Sequence, residues 1–225
     1  MRMQYRHEWK HVINLGDMIA IRQRLQAVMQ LDEHAKAGKY FVRSLYFDTI
    51  SDRALREKID GVNEREKFRI RYYNQDTSII HLEKKSKRNG LGHKQSAVLT
   101  KEEAQAIVQG DLEWMLQSER PLVQELYEKM MTQGLRPRTI VDYEREPFVY
   151  GPGNVRVTLD YNIRTGLRCI DFLNADCVTI PAGDAPIILE VKWDAFLPDV
   201  IRDVIQFGDR RSAAFSKYAV CRIYG

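Results

Sequence analysis

The sequence has few of the residues that build covalent or metal-bound scaffolds. Of its 225 residues only three are cysteines, Cys169, Cys177 and Cys221, and they show no CxxC spacing. The five histidines are scattered, and no Ser-His-Asp or Cys-His arrangement is evident. We therefore expect reduced thiols in a cytoplasmic protein, with no zinc site, no disulfide framework and no side-chain nucleophile.

Long apolar runs are also missing. No stretch approaches the roughly 20 residues of a membrane-spanning helix, and we expect no signal peptide ahead of Tyr5. Hydrophobic residues make up 44% of the chain and charged residues 29%, which are values of a globular protein. The net charge of +4 favours an anionic partner but does not identify it.

What the sequence does contain is charge that alternates with apolar residues. In the segment KFRIR, which begins at Lys67, basic and apolar side chains alternate strictly. Because a strand has a side-chain period of two, this pattern predicts a strand with one basic face and one apolar face. For any single strand of this kind, a solvated sheet face is the alternative interpretation.

Glutamates join the basic residues in three other strand-like segments. These pairings are Glu83 with Lys85, Glu190 with Lys192, and Glu8 with Arg6 and Lys10. Like charges crowded on one surface repel each other unless an anion binds between them. The interspersed carboxylates favour a divalent cation that accompanies the anion, because hard oxygen ligands suit Mg²⁺ or Mn²⁺.

Hydrophobic periodicity predicts the elements of an α+β protein. Strands are expected at 3–13, 40–49, 64–73, 79–87, 93–99, 138–149, 154–161 and 185–193. Helices are expected at 17–31, 51–58, 101–109, 111–117, 120–133 and from Pro198 onward. Ser51 is the expected cap of the second helix, Thr100 and Glu103 form a capping box, and Gly134 ends a helix. Residues 164–180 are expected to be irregular or to form a hairpin. The C-terminal end is expected to form a strand or a helical turn.

The strands and helices fit together if the charged faces line a lumen. At least eight strand candidates with connections of mixed length favour a mostly antiparallel sheet, closed into a barrel. The apolar faces would then point outward and be covered by the amphipathic helices. We predict one domain over residues 1–225, with a helical insertion at about 100–134 packed on the sheet.

An ordered set of motifs resembles the VTC domain, the polyphosphate polymerase module of the triphosphate tunnel metalloenzyme superfamily. The motifs are RHEWK, SLYFDT, KFRIRYY, LEKKSK, VDYEREPF, VRVTLDYNIR, ILEVKWD and FSKY, and they cover nearly the whole chain. The resemblance implies a closed eight-stranded antiparallel β-barrel with helices outside. It also implies ATP or another triphosphate and inorganic polyphosphate as ligands, with Mn²⁺ or Mg²⁺ as cofactor. Eukaryotic members carry membrane helices, so a separate membrane-protein partner is left open here.

The resemblance also implies roles for individual residues. The catalytic set is Arg69, Arg71, Lys85, Arg145, Arg156 and Lys192. Further phosphate-binding residues are Lys10, Lys94, Tyr143, Ser216 and Lys217. The metal-binding glutamate matches Glu190, with Glu8 or Glu83 as helpers. The superfamily's N-terminal ExExK reads here as Arg6-x-Glu8-x-Lys10, which argues against a metal site built from paired N-terminal glutamates.

Three functions remain open at this point. The first is a polyphosphate polymerase that uses ATP, and the second is a triphosphatase with water as the acceptor. The third is a non-catalytic module that binds polyphosphate or a nucleotide. Nucleic acid is the weakest candidate partner, because the basic strands lack interleaved aromatic residues on which bases stack.

Overall fold

One curved antiparallel sheet organises the chain. The structure is a computed structural model, and it describes residues 6–35, 37–89, 91–206 and 215–223. The strands are β1 (His7–Ile13), β2 (Gln30–Leu31), β3 (Tyr40–Asp48), β4 (Arg65–Tyr73), β5 (Asp76–Arg88), β6 (Leu91–Leu99), β7 (Arg136–Tyr150), β8 (Val155–Thr165), β9 (Ile180–Pro181) and β10 (Ile187–Trp193). The first predicted strand thus begins at His7, and its residues 3–5 lie outside the described ranges.

The long strands follow one another across the sheet in the order β1-β10-β8-β7-β3-β4-β5-β6. Within the described ranges, the edge strands β1 and β6 approach each other at a single bridge, between Arg6 and Gly92. A closed barrel requires a continuous ladder between its first and last strands, and one bridge does not supply it. The predicted antiparallel sheet is confirmed as a curled half-barrel, whereas its closure is not confirmed.

The convex face of the sheet is apolar and covered by helices, as the alternation predicted. The helices are α1 (Leu15–Val28), α2 (Arg53–Ile59), α3 (Lys101–Gln109), α4 (Pro121–Gln133), α5 (Asp199–Val204) and α6 (Lys217–Ile223). Phe68 and Ile70 of β4 pack in one cluster with Ile107 of α3 and Leu126 of α4. The outward side chains of β8 and β10 pack in a second cluster with residues of α1 and α5.

The helix boundaries follow their caps. Thr100 and Glu103 form the predicted capping box of α3, and Gly134 ends α4 in the left-handed conformation, with φ +65°. α1 begins at Leu15, two residues earlier than predicted, because the Asn14 side chain caps it. α1 also ends earlier, because Gln30–Leu31 pairs with β7 as a short strand. Residues 113–117 form a 3₁₀ helix in place of the helix predicted at 111–117.

The expected cap of α2 is wrong. Asp48, at the end of β3, accepts hydrogen bonds from the backbone N–H groups of Ala54 and Leu55 in the first turn, at 2.8 and 3.1 Å. The hydroxyl of Thr49 accepts from the N–H of Arg53. Ser51 makes no such bond to this turn, and the helix follows Asp52, whose φ is +54°. A buried carboxylate at the end of the strand therefore takes the role that was assigned to the nearer serine.

The expected strand or helical turn near the C-terminus is a helix, α6, which packs against the concave face. Tyr218 and Cys221 of α6 pack in a third cluster with Val42 and Tyr46 of β3. The Tyr218 ring stacks on Tyr46 at 5.0 Å, and its hydroxyl donates to Asp48 at 2.6 Å. The start of the chain's last element is thereby fixed beside the charged face.

Candidate anion-binding tunnel

The concave face of the half-barrel encloses a cavity of about 540 Å³ lined by charged side chains. Twelve of the fourteen residues with predicted roles line it: Glu8, Lys10, Arg69, Arg71, Lys85, Lys94, Tyr143, Arg145, Arg156, Glu190, Lys192 and Lys217. The other two, Glu83 and Ser216, lie behind this surface as buried side chains. The structure thus brings most of the set implied by the resemblance to one face, although the roles of these residues remain predictions.

Glu83 is the anchor of the first arginine pair. The Nε and Nη2 atoms of Arg69 donate to Glu83 Oε2 at 2.9 and 2.8 Å, and Arg71 donates to Oε1 at 2.6 Å. Lys94 donates to the same Oε1 at 3.0 Å. Burial opposes ionisation of Glu83, but these three cations outweigh it and hold the pKa of the carboxyl far below its usual range. A metal-ligand role for Glu83 would require these cations to move.

Asp160 anchors the second group of cations in the same way. Arg145 donates to its two carboxylate oxygens at 2.6 and 2.7 Å, and Lys217 donates at 2.5 Å. Burial opposes ionisation of this fully buried carboxyl, yet Arg145 and Lys217 keep its pKa low. The Arg145 guanidinium and the Lys217 ammonium also lie over the Tyr143 ring, at 5.3 and 4.7 Å. The predicted pair Tyr143 and Arg145 is thus held in one fixed arrangement.

Glu8 and Glu190 meet on the neighbouring strands β1 and β10. In the register of this pair, Glu8 lies opposite Lys192 and Lys10 opposite Glu190. Lys10 contacts Glu8 at 2.9 Å and Glu190 at 3.4 Å, and Lys192 contacts both carboxylates. Burial opposes ionisation of Glu190, but Lys192 and Lys10 hold its pKa well below the usual range.

The two carboxylates fit a divalent cation that arrives together with phosphate. Mg²⁺ is commonly held by one or two carboxylates and completes its shell with phosphate oxygens and waters. Glu8 and Glu190 supply that number of oxygen ligands on adjacent strands. Among the residues that the structure describes, no group of three or more His, Cys, Asp or Glu side chains forms a metal cluster by itself. A bound cation would have to displace the ammonium groups of Lys10 and Lys192.

Lys67 is a lining residue to which the sequence analysis gave no role. It lies on the basic face of β4, its ammonium is 5.7 Å from the centre of the Tyr46 ring, and it lines the cavity. Within the described ranges neither Lys67 nor its cross-strand partner Lys85 has a carboxylate within 4.0 Å. Burial and the nearby cations Lys10 and Arg69 lower the pKa of Lys67 to about 7. The alternation of KFRIR, which places Lys67 on the basic face with Arg69 and Arg71, is the sequence feature that could have identified it as a lining residue.

Like charges face one another across β4, β5 and β6, although Lys94 is also paired with Glu83. Lys67 lies opposite Lys85, which lies opposite Lys94, and in the next row Arg65 lies opposite Lys87. Directly opposed like charges destabilise a sheet. In the adjacent row, Arg69 faces Glu83, so this row is neutralised across the strands.

The remaining predicted residues lie at the edges of the cavity. Arg156 donates to the Tyr40 hydroxyl at 3.1 Å and contacts Asp32 at 2.9 Å. The hydroxyl of Ser216 accepts from the N–H of Ala219 at 3.3 Å and so caps the start of α6. This contact of Ser216 positions its neighbour Lys217. Ser216 itself lies outside the lining of the cavity.

The curled sheet and its charged concave face define a protein of the tunnel fold. The family model of the VTC domain matches residues 5–223, so the chain belongs to that family. A search of curated proteins found no match. No helix in the described ranges has both the length and the apolar character needed to cross a membrane.

One solved structure supports the fold. The chain is similar to a candidate adenylate cyclase from Bacillus halodurans, with a TM-score of 0.51 and 14% identity over 85% of this chain and 82% of that one. It is also similar to a protein from Pyrococcus horikoshii, with a TM-score of 0.45 and 15% identity over 89% of this chain and 84% of that one. At such low identity, the first likeness shows the tunnel fold alone.

Proposed function

We propose that this chain is a metal-dependent phosphotransferase that transfers the γ-phosphoryl group of ATP to a growing inorganic polyphosphate chain. The observation that carries the proposal is the pair of carboxylate-anchored clamps on one concave face. Glu83 holds Arg69 and Arg71, and Asp160 holds Arg145. These guanidinium groups are fixed before any ligand binds, and preorganised cations stabilise developing phosphoryl charge without further reorganisation.

The clamps suit phosphate chemistry because of their shape. A guanidinium group donates two parallel hydrogen bonds to phosphate oxygens, and the carboxylates use only part of each donor set. Glu83 and Asp160 thus act as positioning residues, while Arg69, Arg71 and Arg145 would hold the γ-phosphoryl group in line with the acceptor. A divalent cation held by Glu190 and Glu8 would neutralise charge on the triphosphate. The attacking oxygen belongs to the polyphosphate end, so the protein supplies no nucleophile.

The extent of the basic face supports a long anion. The rows Lys67–Lys85–Lys94 and Arg65–Lys87 extend the clamps along the strands, and successive rows of a strand are about 6.7 Å apart. A polyphosphate chain long enough to extend beyond the clamps would contact this second row of cations. A triphosphate held at the clamps would not need these contacts. This favours polyphosphate as the second ligand.

A triphosphatase on the same fold is the second candidate, and one observation favours it. The pKa of Lys67, lowered by burial and by Lys10 and Arg69, lies at about 7, where an amine can accept a proton from water. Water would then take the place of the polyphosphate end as the acceptor. The clamps and the carboxylate pair would serve both reactions alike.

One incubation separates these candidates. The protein is mixed with ATP and Mn²⁺, with and without a short polyphosphate primer, and the products are resolved on a gel stained for polyphosphate and assayed for free phosphate. Polymerase activity gives long polyphosphate and ADP, while a triphosphatase gives free phosphate and no polymer. If neither product forms with Mn²⁺ or Mg²⁺ while polyphosphate still binds, the chain is a binding module and the proposal fails. Arg69→Ala serves as the inactive control.

A further inference from the structure

Two of the three cysteines meet in the loop between β8 and β9. The Sγ atoms of Cys169 and Cys177 are 2.8 Å apart, and both thiols are free and half-buried. The third thiol, Cys221, is buried in α6 and points toward the carbonyl of Arg164 at 3.6 Å. The sequence spacing had favoured three separate thiols, so this proximity comes from the path of the loop.

The loop lies on the convex face and is attached to the sheet at a few points. Tyr72 of β4 donates to the Phe172 carbonyl at 3.0 Å, and the two rings pack at 4.8 Å. Arg43 of β3 donates to the Asn174 carbonyl at 2.5 Å. Both attachment points, Phe172 and Asn174, lie between the two cysteines in the chain. A covalent bond between the thiols would therefore enclose the segment that fastens the loop to the sheet.

We propose that Cys169 and Cys177 form a reversible disulfide, so that the stability of this loop responds to the thiol–disulfide balance around the protein. The site takes a low-molecular-weight disulfide as its oxidant and a low-molecular-weight thiol as its reductant. It is separate from the tunnel, and it stands whether or not the proposed phosphotransferase activity is found.

The exchange is a two-electron step with a defined order. Burial and the adjacent Cys169 thiol raise the pKa of Cys177 to about 12, which disfavours Cys177 as the attacking thiolate. The Cys169 thiolate attacks one sulfur of the oxidant, and the other sulfur leaves as a thiolate. Cys177 then gives its proton to solvent and attacks Cys169, releasing the second thiolate. Two cysteine sulfurs are oxidised, and one disulfide molecule is reduced to two thiols.

The bond should make the loop harder to open. Cross-linking removes conformations from the unfolded chain and holds Phe172 and Asn174 on their partners. We expect a rise in the melting temperature of about 5 °C on oxidation, together with slower cleavage of the loop by protease.

The first test uses the whole chain in buffers of increasing ratio of oxidised to reduced glutathione, quenched in acid and alkylated after denaturation. The expected product lacks the mass of two hydrogen atoms, is alkylated only at Cys221, and yields a cross-linked peptide pair containing Cys169 and Cys177. Cys221→Ser should keep this behaviour and Cys177→Ser should lose it. Three alkylated cysteines at the most oxidising ratio, a persistent glutathione adduct, or a bridge between two chains would overturn the proposal.

The second test needs no variant that could misfold. The melting temperature of the same wild-type preparation is measured after oxidation and again after reduction. A reversible difference supports the disulfide as a constraint on the folded loop. Equal melting temperatures in both forms, with the cross-link verified by mass, would refute its effect on stability.

Discussion

Individual residues decide whether the tunnel has spare positive charge. Two buried carboxylates, Glu83 and Asp160, are each shared by several cations, and Glu190 is shared by two lysines. Lys67 and Lys85 have no such partner within the described ranges, and burial and neighbouring cations lower the pKa of both ammonium groups. An anion that binds between them would restore their charged forms. We therefore expect Lys67 and Lys85 to contribute strongly to the binding of such an anion.

The first prediction separates a metal ligand from a clamp. Glu190→Gln should lower metal-dependent turnover of ATP by about 100-fold or more, because charge neutralisation by the cation is lost. It should leave polyphosphate affinity in a chelator unchanged or higher, because one negative charge is removed from the cavity. Arg69→Ala should weaken that affinity by about 10- to 100-fold and lower turnover as well.

Both quantities are measured for each variant, turnover with Mn²⁺ and polyphosphate binding by calorimetry in a chelator. The matched control is Glu125→Gln, the same chemical change on α4, where Glu125 contacts Lys84 behind the sheet. If Glu190→Gln retains wild-type turnover, the metal assignment is wrong and Glu8 becomes the candidate.

The second prediction concerns the titration of Lys67. Below pH 7 the Lys67 amine is protonated in both the folded and the unfolded chain. The folded protein then bears the full cost of burying this charge beside other cations. Between the folded pKa of about 7 and the unfolded pKa of about 10.4, the unfolded chain holds a proton that the folded chain has lost. The free energy of unfolding should therefore rise with pH in this window, and Lys67→Met should reduce the slope.

Denaturant unfolding at pH values of about 6 and about 9 measures this slope. Lys101→Met, at the start of α3, is the control and should leave it unchanged. Tripolyphosphate binding near pH 8 should also take up protons, since the anion favours the charged amine; calorimetry in buffers of different ionisation enthalpy detects this uptake. A Lys67→Met slope equal to that of the wild type would contradict the assignment.

At the scale of elements, one carboxylate joins a strand and two helices. Asp48 is fully buried at the end of β3 and accepts from the N–H groups of Thr49, Ala54 and Leu55 and from the Tyr218 hydroxyl. It thereby fixes the start of α2 and the position of α6 against the sheet. α6 begins at Lys217, so the same carboxylate indirectly places a cation of the tunnel.

The third prediction tests this junction. Asp48→Ala should lower the free energy of unfolding by about 3 kcal/mol, because several buried donors lose their acceptor. Ser51→Ala, which removes the cap expected from the sequence, should change it by less than about 0.5 kcal/mol. Chemical denaturation of both variants makes the comparison. Equal costs would show that Ser51 caps α2 after all.

At the scale of the whole molecule, the sheet curves so that cations from several distant segments face one another across about 540 Å³ of space. Their mutual repulsion opposes the compact state, and their number gives a strong attraction for a polyanion. Within the described ranges the edges of the sheet meet at a single bridge, so the charged face is enclosed there by curvature and not by a continuous ladder.

The fourth prediction follows from that repulsion. Tripolyphosphate at about 100 times its dissociation constant should stabilise the folded state by about 2.7 kcal/mol, which corresponds to a rise in melting temperature of roughly 5–10 °C. The rise should shrink as salt is added, since part of the attraction is screened. An unchanged melting temperature at millimolar ligand and low salt would count against every anion-binding interpretation of the tunnel.

The sequence by itself determined which residues share a face. The alternation in β4 put Arg69 and Arg71 on one side and Phe68 and Ile70 on the other, because the side-chain period of a strand is a local property of the backbone. The capping box of Thr100 and the stop at Gly134 were equally local. The identification of the charged lumen therefore needed no knowledge of distant contacts.

The tertiary structure alone decided which charges neutralise one another. That Glu83 holds three cations, that Lys67 faces Lys85, and that Cys169 meets Cys177 all depend on strand register and loop path. Register is set by pairing between segments far apart in the chain, and one slip would move every side chain to the other face. Ion-pair energies depend on separations of a few ångströms. Local sequence fixes the direction of a side chain, but only the assembled sheet fixes its neighbours.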